Sequence, residues 1–213
     1  MFDQDQTRAS YERIARHYAD EIAGELSNKP FDREFLDRFA DRVREGRVVE
    51  LGCGPGHVSA YLTGRGVRVS GLDLSPAMAE QAHQLFPHIP FEVGDMLNLP
   101  FPDGSLGALV SFYSIVHFDE HQTTVAFSEM ARVLVPTGLV ALAFHVGTDV
   151  VHRDEWFGEP VNVDFKLHNP EDVKRQLELV GLTVESSHER DPYPPPVEAQ
   201  TRRCYIVAVK QPQ

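Results

Sequence analysis

The segment Arg47–Gly56 reads Arg-Val-Val-Glu-Leu-Gly-Cys-Gly-Pro-Gly: a short apolar run carrying one acid, then glycine at 52, 54 and 56. A missing Cβ removes both the conformational penalty of a sharp turn and the bulk that keeps a ligand away from the main chain. A helix-compatible stretch follows directly. Strand, glycine loop and helix in that order open a nucleotide-type site in α/β proteins, although many strand-to-helix turns use glycine for structural reasons alone.

The spacing narrows the ligand. A dinucleotide loop of the G-x-G-x-x-G kind needs glycine at 57, where this chain has His57. Glu50 adds a charge argument, because a carboxylate before the loop repels a pyrophosphate and accepts a hydrogen bond from an ammonium group. The next strand-like run, Val67–Leu72, ends at Asp73, about twenty residues past the loop, where an acid takes both hydroxyls of a ribose. Ribose plus ammonium describes an adenosyl amino acid. Taken singly, Asp73 and the later Asp95 would serve equally well as turn or helix-cap acids.

The loop, Gly71-Leu72-Asp73-Leu74-Ser75 and Phe91-Glu92-Val93-Gly94-Asp95-Met96, in that order, resemble the class I S-adenosylmethionine-dependent methyltransferases. The likeness continues through Ala108–Phe112 and through Glu129–Gly138, which resembles the helix and turn entering the fifth strand. The resemblance implies S-adenosylmethionine as cofactor, with Asp95 accepting from the adenine amino group and Met96 packing on the ring. The implied cofactor set is Glu50, Gly52, Cys53, Gly54, Gly56, Asp73, Leu74, Asp95, Met96 and Ser111. Tyr11-Glu12-Arg13-Ile14-Ala15-Arg16-His17-Tyr18 resembles the amino-terminal helix that closes over the cofactor in small-molecule members, with Tyr11 and Tyr18 as cover residues. At that separation the two rings share one helix face, so packing on the sheet is an equal reading.

The expected fold is α/β: a doubly wound, seven-stranded, mostly parallel sheet, Rossmann-like, with an antiparallel terminal strand. Val48–Leu51, Ala108–Phe112 and Leu139–Phe144 read as buried central strands. Ser75-Pro76, Asp119 with Gln122, and Asn169-Pro170 open helices, and Gly181 closes the last one. Leu182–Glu189 and Cys204–Lys210 follow without a helix between them and must pair as a hairpin. The 213 residues fit one domain, 1–213, with 1–45 as a helical cover and 147–168 and 190–202 as lid and substrate loops.

A net charge of −12 makes nucleic acid a poor partner. The polar amino terminus and the lack of a run of about 18 apolar residues predict no membrane partner. Cys53 and Cys204 have neither metal nor disulfide spacing, which predicts a cytoplasmic protein. The expected partner is a small-molecule methyl acceptor, with the chain a monomer or a homodimer.

Methyl transfer is an in-line displacement, so the protein mainly aligns the reactants and excludes water. If the acceptor is a hydroxyl or an ammonium, a base must take a proton; His117 is best placed, followed by His145, with His152 or His168 reaching in from the lid. Ser111-Phe112-Tyr113-Ser114 stands where family members acting on base amino groups carry Asn or Asp, two prolines and an aromatic. No metal site is expected. Phe112, Tyr113, Trp156, Phe157, Phe165 and Tyr193 are candidates for an apolar acceptor pocket, and Arg190, Arg202 and Arg203 for recognising an anionic group on it. Two alternatives remain: an NAD(P)-binding Rossmann oxidoreductase, and a non-catalytic S-adenosylmethionine-binding sensor or partner subunit.

Overall fold

The computed structural model describes residues 3–43 and 46–212; the outermost residues of the expected 1–45 cover, 1, 2, 44 and 45, lie outside them. Seven strands form one sheet: β1 (Val48–Leu51), β2 (Val69–Asp73), β3 (Phe91–Val93), β4 (Leu106–Phe112), β5 (Leu134–His145), β8 (Leu182–Arg190) and β9 (Arg203–Lys210), in the order β3-β2-β1-β4-β5-β9-β8. Pairings from β3 through β5 are parallel, and β9 runs antiparallel to both β5 and β8. This is the expected doubly wound sheet.

Alternation along the central strands builds two cores, because successive side chains leave opposite faces. Val49, Leu51, Leu109, Val140, Leu142 and Phe144 pack with Phe127, Met130 and Leu177 of helices α5 (Glu120–Val133) and α6 (Pro170–Leu179). Val48, Ala108, Val110, Ala141 and Ala143 pack with Phe35, Leu36 and Phe39 of α2 (Pro30–Arg42) and Val58 and Leu62 of α3 (His57–Gly64). The caps read from sequence form as written. Ser75 accepts from Met78 N at the start of α4 (Pro76–Leu85), Asp119 and Gln122 make a reciprocal capping box, and Asn169 accepts from Glu171 N.

One segment differs from expectation. Within 147–168 the chain forms a second, two-stranded antiparallel sheet, β6 (Val150–Trp156) with β7 (Glu159–Lys166), rather than a loop. Phe157 and Gly158, both at positive φ, make its turn. Val161 and Val163 on β7 bury against Ile14 of α1 (Gln4–Ile22), with Tyr11, Tyr18, Trp156 and Phe165 around them. Ser10 Oγ fastens the two elements, accepting from Asn162 N at 2.9 Å. Residues 191–202, between β8 and β9, form an irregular loop. Among the described residues no helix is long and apolar enough to cross a membrane.

Candidate functional site

Winding order reverses between β1 and β4, and the glycine loop, Asp73, Asp95 and Tyr113 all follow the carboxyl ends of neighbouring strands. Such a switch point opens a crevice. A cleft lies there, lined by the loop glycines Gly52 and Gly54, by Leu72–Ser75, Gly94–Met96 and Phe112–Ser114, and by His117. Its cover is α1, whose Gln4, Thr7, Arg8, Tyr11 and Tyr18 face it along one helical stripe.

At Gly52, φ is +68°, and a Cβ would run into the Ser114 side chain, so this position admits no other residue without rearrangement. Asp73 is held by two backbone donors: Gly54 N to Oδ2 at 2.8 Å and Ser75 N to Oδ1 at 2.9 Å. Burial raises its carboxyl, and these amides offset part of that. A carboxylate offers about four lone-pair sites, so acceptor capacity remains for a ligand. Asp95 accepts Leu97 N (2.8 Å) and Gln4 Nε2 (3.0 Å) on Oδ1 alone, leaving Oδ2 open.

The structure brings Tyr11, Tyr18, Gly52, Gly54, Asp73, Leu74, Asp95, Met96 and His117 to the cleft wall. Four of the sequence candidates stand behind it. Glu50 is buried, with Ser59 N (2.7 Å) and Ser59 Oγ (2.5 Å) both donating to Oε2; it holds the first turn of α3 and leaves Oε1 without a protein partner. Cys53 packs with Ala82, Ile89 and Phe91. Gly56 caps α3 against the Phe91 ring. Ser111 donates to Ser114 Oγ, since Ser114 gives its own proton to Leu51 O at 3.0 Å. Sequence reasoning missed Gln4, Thr7 and Arg8, although their spacing with Tyr11 was a readable stripe, and also Ser75, Met78 and Phe118.

Burial pushes Glu50 up to about 7, against the opposing pull of His57 and Ser59. A raised carboxyl keeps its proton in the folded state, so its contribution to stability is greatest below about pH 4.5 and is lost as pH rises toward 7. At about 1.4 kcal/mol per pKa unit the ionised group costs about 3 kcal/mol. Glu50→Gln is therefore expected to flatten the fall in urea stability of the ligand-free protein between pH 5 and pH 8. Parallel wild-type and variant curves would contradict this assignment.

His117 ends a 3-10 turn, Ile115–His117. Its Nδ1 faces the Asp164 carbonyl at 3.0 Å and must carry the proton, so Nε2 accepts from the Tyr11 hydroxyl at 2.9 Å. Burial lowers its pKa to about 4 and keeps it neutral. The other histidines are placed differently. His168 Nε2 bonds the Ile115 carbonyl (3.0 Å) and His152 pairs with Asp164 on the exposed hairpin, so neither enters the cleft.

A second, larger cavity adjoins the cleft and shares Tyr11, Tyr18 and Tyr113 with it. Tyr113 sits at φ +55°, a strained conformation for a bulky residue, and its hydroxyl bonds Asp32 and Tyr205. The hairpin supplies Val151, Trp156, Phe157, Phe165 and Leu167; the 190–202 loop supplies Pro196–Ala199 and Thr201; His145, Lys29 and Arg203 complete the polar side. Thus both segments expected to wall an acceptor pocket do border this cavity. Of the six aromatic candidates, Phe112 lies in the first cleft and Tyr193 in neither, its ring stacked under Arg190. Arg190 is spent on Asp32 and Glu198, and exposed Arg202 on Glu189 and Asp191.

Residues 48–138 match a family model described as a methyltransferase domain. A probable S-adenosylmethionine-dependent methyltransferase of Mycolicibacterium smegmatis is 33% identical over 157 residues, 70% of this chain and 57% of that protein. An uncharacterized methyltransferase of Oceanobacillus iheyensis is 30% identical over 62% of this chain and 55% of its own length. The chain thus spans about half the length of these curated relatives. Among solved structures, a SAM-dependent methyltransferase of Methanosarcina mazei superposes with a TM-score of 0.71 over 79% of this chain and 94% of its own, at 15% identity, a likeness of fold alone.

Proposed function

We propose that the chain is a class I S-adenosylmethionine-dependent methyltransferase that transfers a methyl group from S-adenosylmethionine to a small organic acceptor without a metal. The observation that carries this reading is the pair of adjoining cavities, one walled by the glycine loop and two acids, the other lined by aromatic side chains and a polar end. The residues fit the cofactor: Asp73 would take the ribose hydroxyls, Asp95 Oδ2 the adenine amino group, with Met96 and Leu74 packing beside the base and sugar. Glu50 Oε1 would offer the ammonium group a carboxylate from behind the loop. Gly52 and Gly54 leave space for the amino-acid portion, while Cys53, Gly56 and Ser111 fix the loop and strand ends that shape it.

S-adenosylmethionine supplies an electrophilic methyl on a sulfonium. The protein's part is alignment and proton removal at the junction where Tyr11, Tyr18 and Tyr113 border both cavities. Tyr11 and Tyr18 on α1 close the junction from above and exclude water. An acceptor hydroxyl or ammonium that reaches the Tyr11–His117 pair passes its proton to His117 Nε2, directly or through the Tyr11 oxygen. We assign the protein to the reducing cytoplasm, on the evidence of two buried, free cysteines. Incubating the protein with a cell extract and methyl-labelled cofactor should label one small-molecule fraction, whereas cofactor binding without transfer in repeated screens would favour a sensor.

A further inference from the structure

We propose that the polar end of the larger cavity binds a carboxylate on the methyl acceptor, through donors presented by Lys29, His145 and Arg203. This rests on the reading of that cavity as the acceptor chamber.

Two partly buried carboxylates lining the cavity, Glu198 and Glu25, are already engaged. Glu198 accepts from Arg190 Nη1 (2.5 Å) and Tyr193 N (2.7 Å) on Oε1, and from Arg190 Nη2 (3.1 Å) on Oε2. Glu25 takes Lys29 Nζ at 2.7 Å and His57 Nε2 at 3.2 Å. Burial alone would raise Glu25, yet His57 and Lys29 hold it at about 2. Both are therefore ionised and have their charge partners in place.

The donors are not used up. Arg203 is 2% exposed, and its Nε is buried with no partner, while its Nη atoms go to Thr201, to the Ala199 carbonyl and, at 3.5 Å, to Glu198 Oε2. Thr201 Oγ1 accepts from Arg203 Nη1 and lies 2.7 Å from His145 Nδ1. With the Thr201 hydroxyl donating to Nδ1, His145 carries its proton on Nε2, an N–H with no protein partner. Lys29 Nζ has one short bond, to Glu25, with Glu198 at 3.8 Å, so it keeps a proton to give. The local field has the matching sign: after burial, Arg203 and Lys29 are the largest influences on His145, and together these hold it near 3 despite Glu198 and Glu25.

An unpaired buried donor costs about 1–3 kcal/mol, and an anionic acceptor relieves it. Lys29, Arg190 and Arg203 offset the three carboxylates Asp32, Glu25 and Glu198 one for one, so a two-oxygen monoanion would be held by hydrogen bonds from the open donors and not by excess positive charge. Trp156, Phe157 and Phe165, packed together, give the same cavity an aromatic wall, while Glu21 and Arg153 are solvent-exposed. The acceptor class is thus a carboxylic acid with an apolar or aromatic body.

The test is isothermal titration of the full chain, saturated with S-adenosylhomocysteine, with phenylalkanoates of increasing chain length and their matched primary amides and phosphonates. At least one acid should bind about tenfold or more tightly than its amide. Lys29→Met and His145→Phe should each remove that preference while leaving S-adenosylhomocysteine affinity unchanged, and either folded variant suffices. Equal or tighter binding of amides or phosphonates, no acid binding to the loaded protein, or a preference that survives both substitutions would overturn the inference. Failure of S-adenosylhomocysteine itself to bind would instead remove the proposed function, and this inference with it.

Discussion

Replacing His117 with alanine should lower kcat by about 10²–10⁴-fold while leaving cofactor affinity near wild type, the range associated with loss of a positioned general base. The geometry is specific about which atom acts. The Asp164 carbonyl fixes the proton on Nδ1, so Nε2 is the basic position, and it already accepts the Tyr11 hydroxyl. Burial holds this histidine near 4, below its ordinary value of 6.5, so its neutral form is the folded form over the working range. Its stabilising contribution is complete above about pH 6.5 and is lost as pH falls through 4. The same shift predicts that kcat/KM shows no acid limb near 6.5 and falls only toward pH 4. An unaltered kcat in the alanine variant would clear His117 of the role, and a limb at 6.5 would point to a different, solvent-exposed base.

Asp73→Ala should weaken cofactor binding by about 1.5–3 kcal/mol, the range for a charge-assisted hydrogen bond, or roughly ten- to more than a hundredfold in Kd. The Asp73 oxygens hold the Gly54 and Ser75 amides and keep acceptor capacity, so the variant loses the sugar contacts and also unties Gly54 from Ser75. Thermal unfolding without ligand separates the two effects, because loosening of the loop lowers the melting temperature whether or not cofactor is present. Asp73→Asn, which retains one oxygen acceptor, should lose less. Unchanged affinity in the alanine variant would refute the ribose assignment.

What was legible in the sequence is local. Glycine 52, the acid at 73 and the caps at Ser75, Asp119 and Asn169 each announce a backbone geometry within a few residues, and each forms as written. The hairpin at 150–166 was obscured because β6 is exposed along most of its length and carries His152, Arg153, Asp154 and Glu155, so apolar alternation is visible only on β7. Its turn is Phe157-Gly158 instead of the familiar Asn-Gly. Glu50 was read as a cleft residue from its place in the motif, yet the pleat turns it toward Ser59, and only its free oxygen remains for a ligand. The network of Asp32, Arg190, Glu198 and Arg203 joins segments more than 150 residues apart and has no local signature. Those contacts exist only once β8 and β9 have paired and α2 has docked on the sheet.

The central claim is that the cleft between β1 and β4 receives an adenosyl sulfonium. Isothermal titration of the unmodified chain against S-adenosylmethionine, S-adenosylhomocysteine and NAD tests it most directly. Saturable one-to-one binding of the first two, with NAD silent, is the predicted result; tight binding of NAD with neither adenosyl amino acid retained would contradict it.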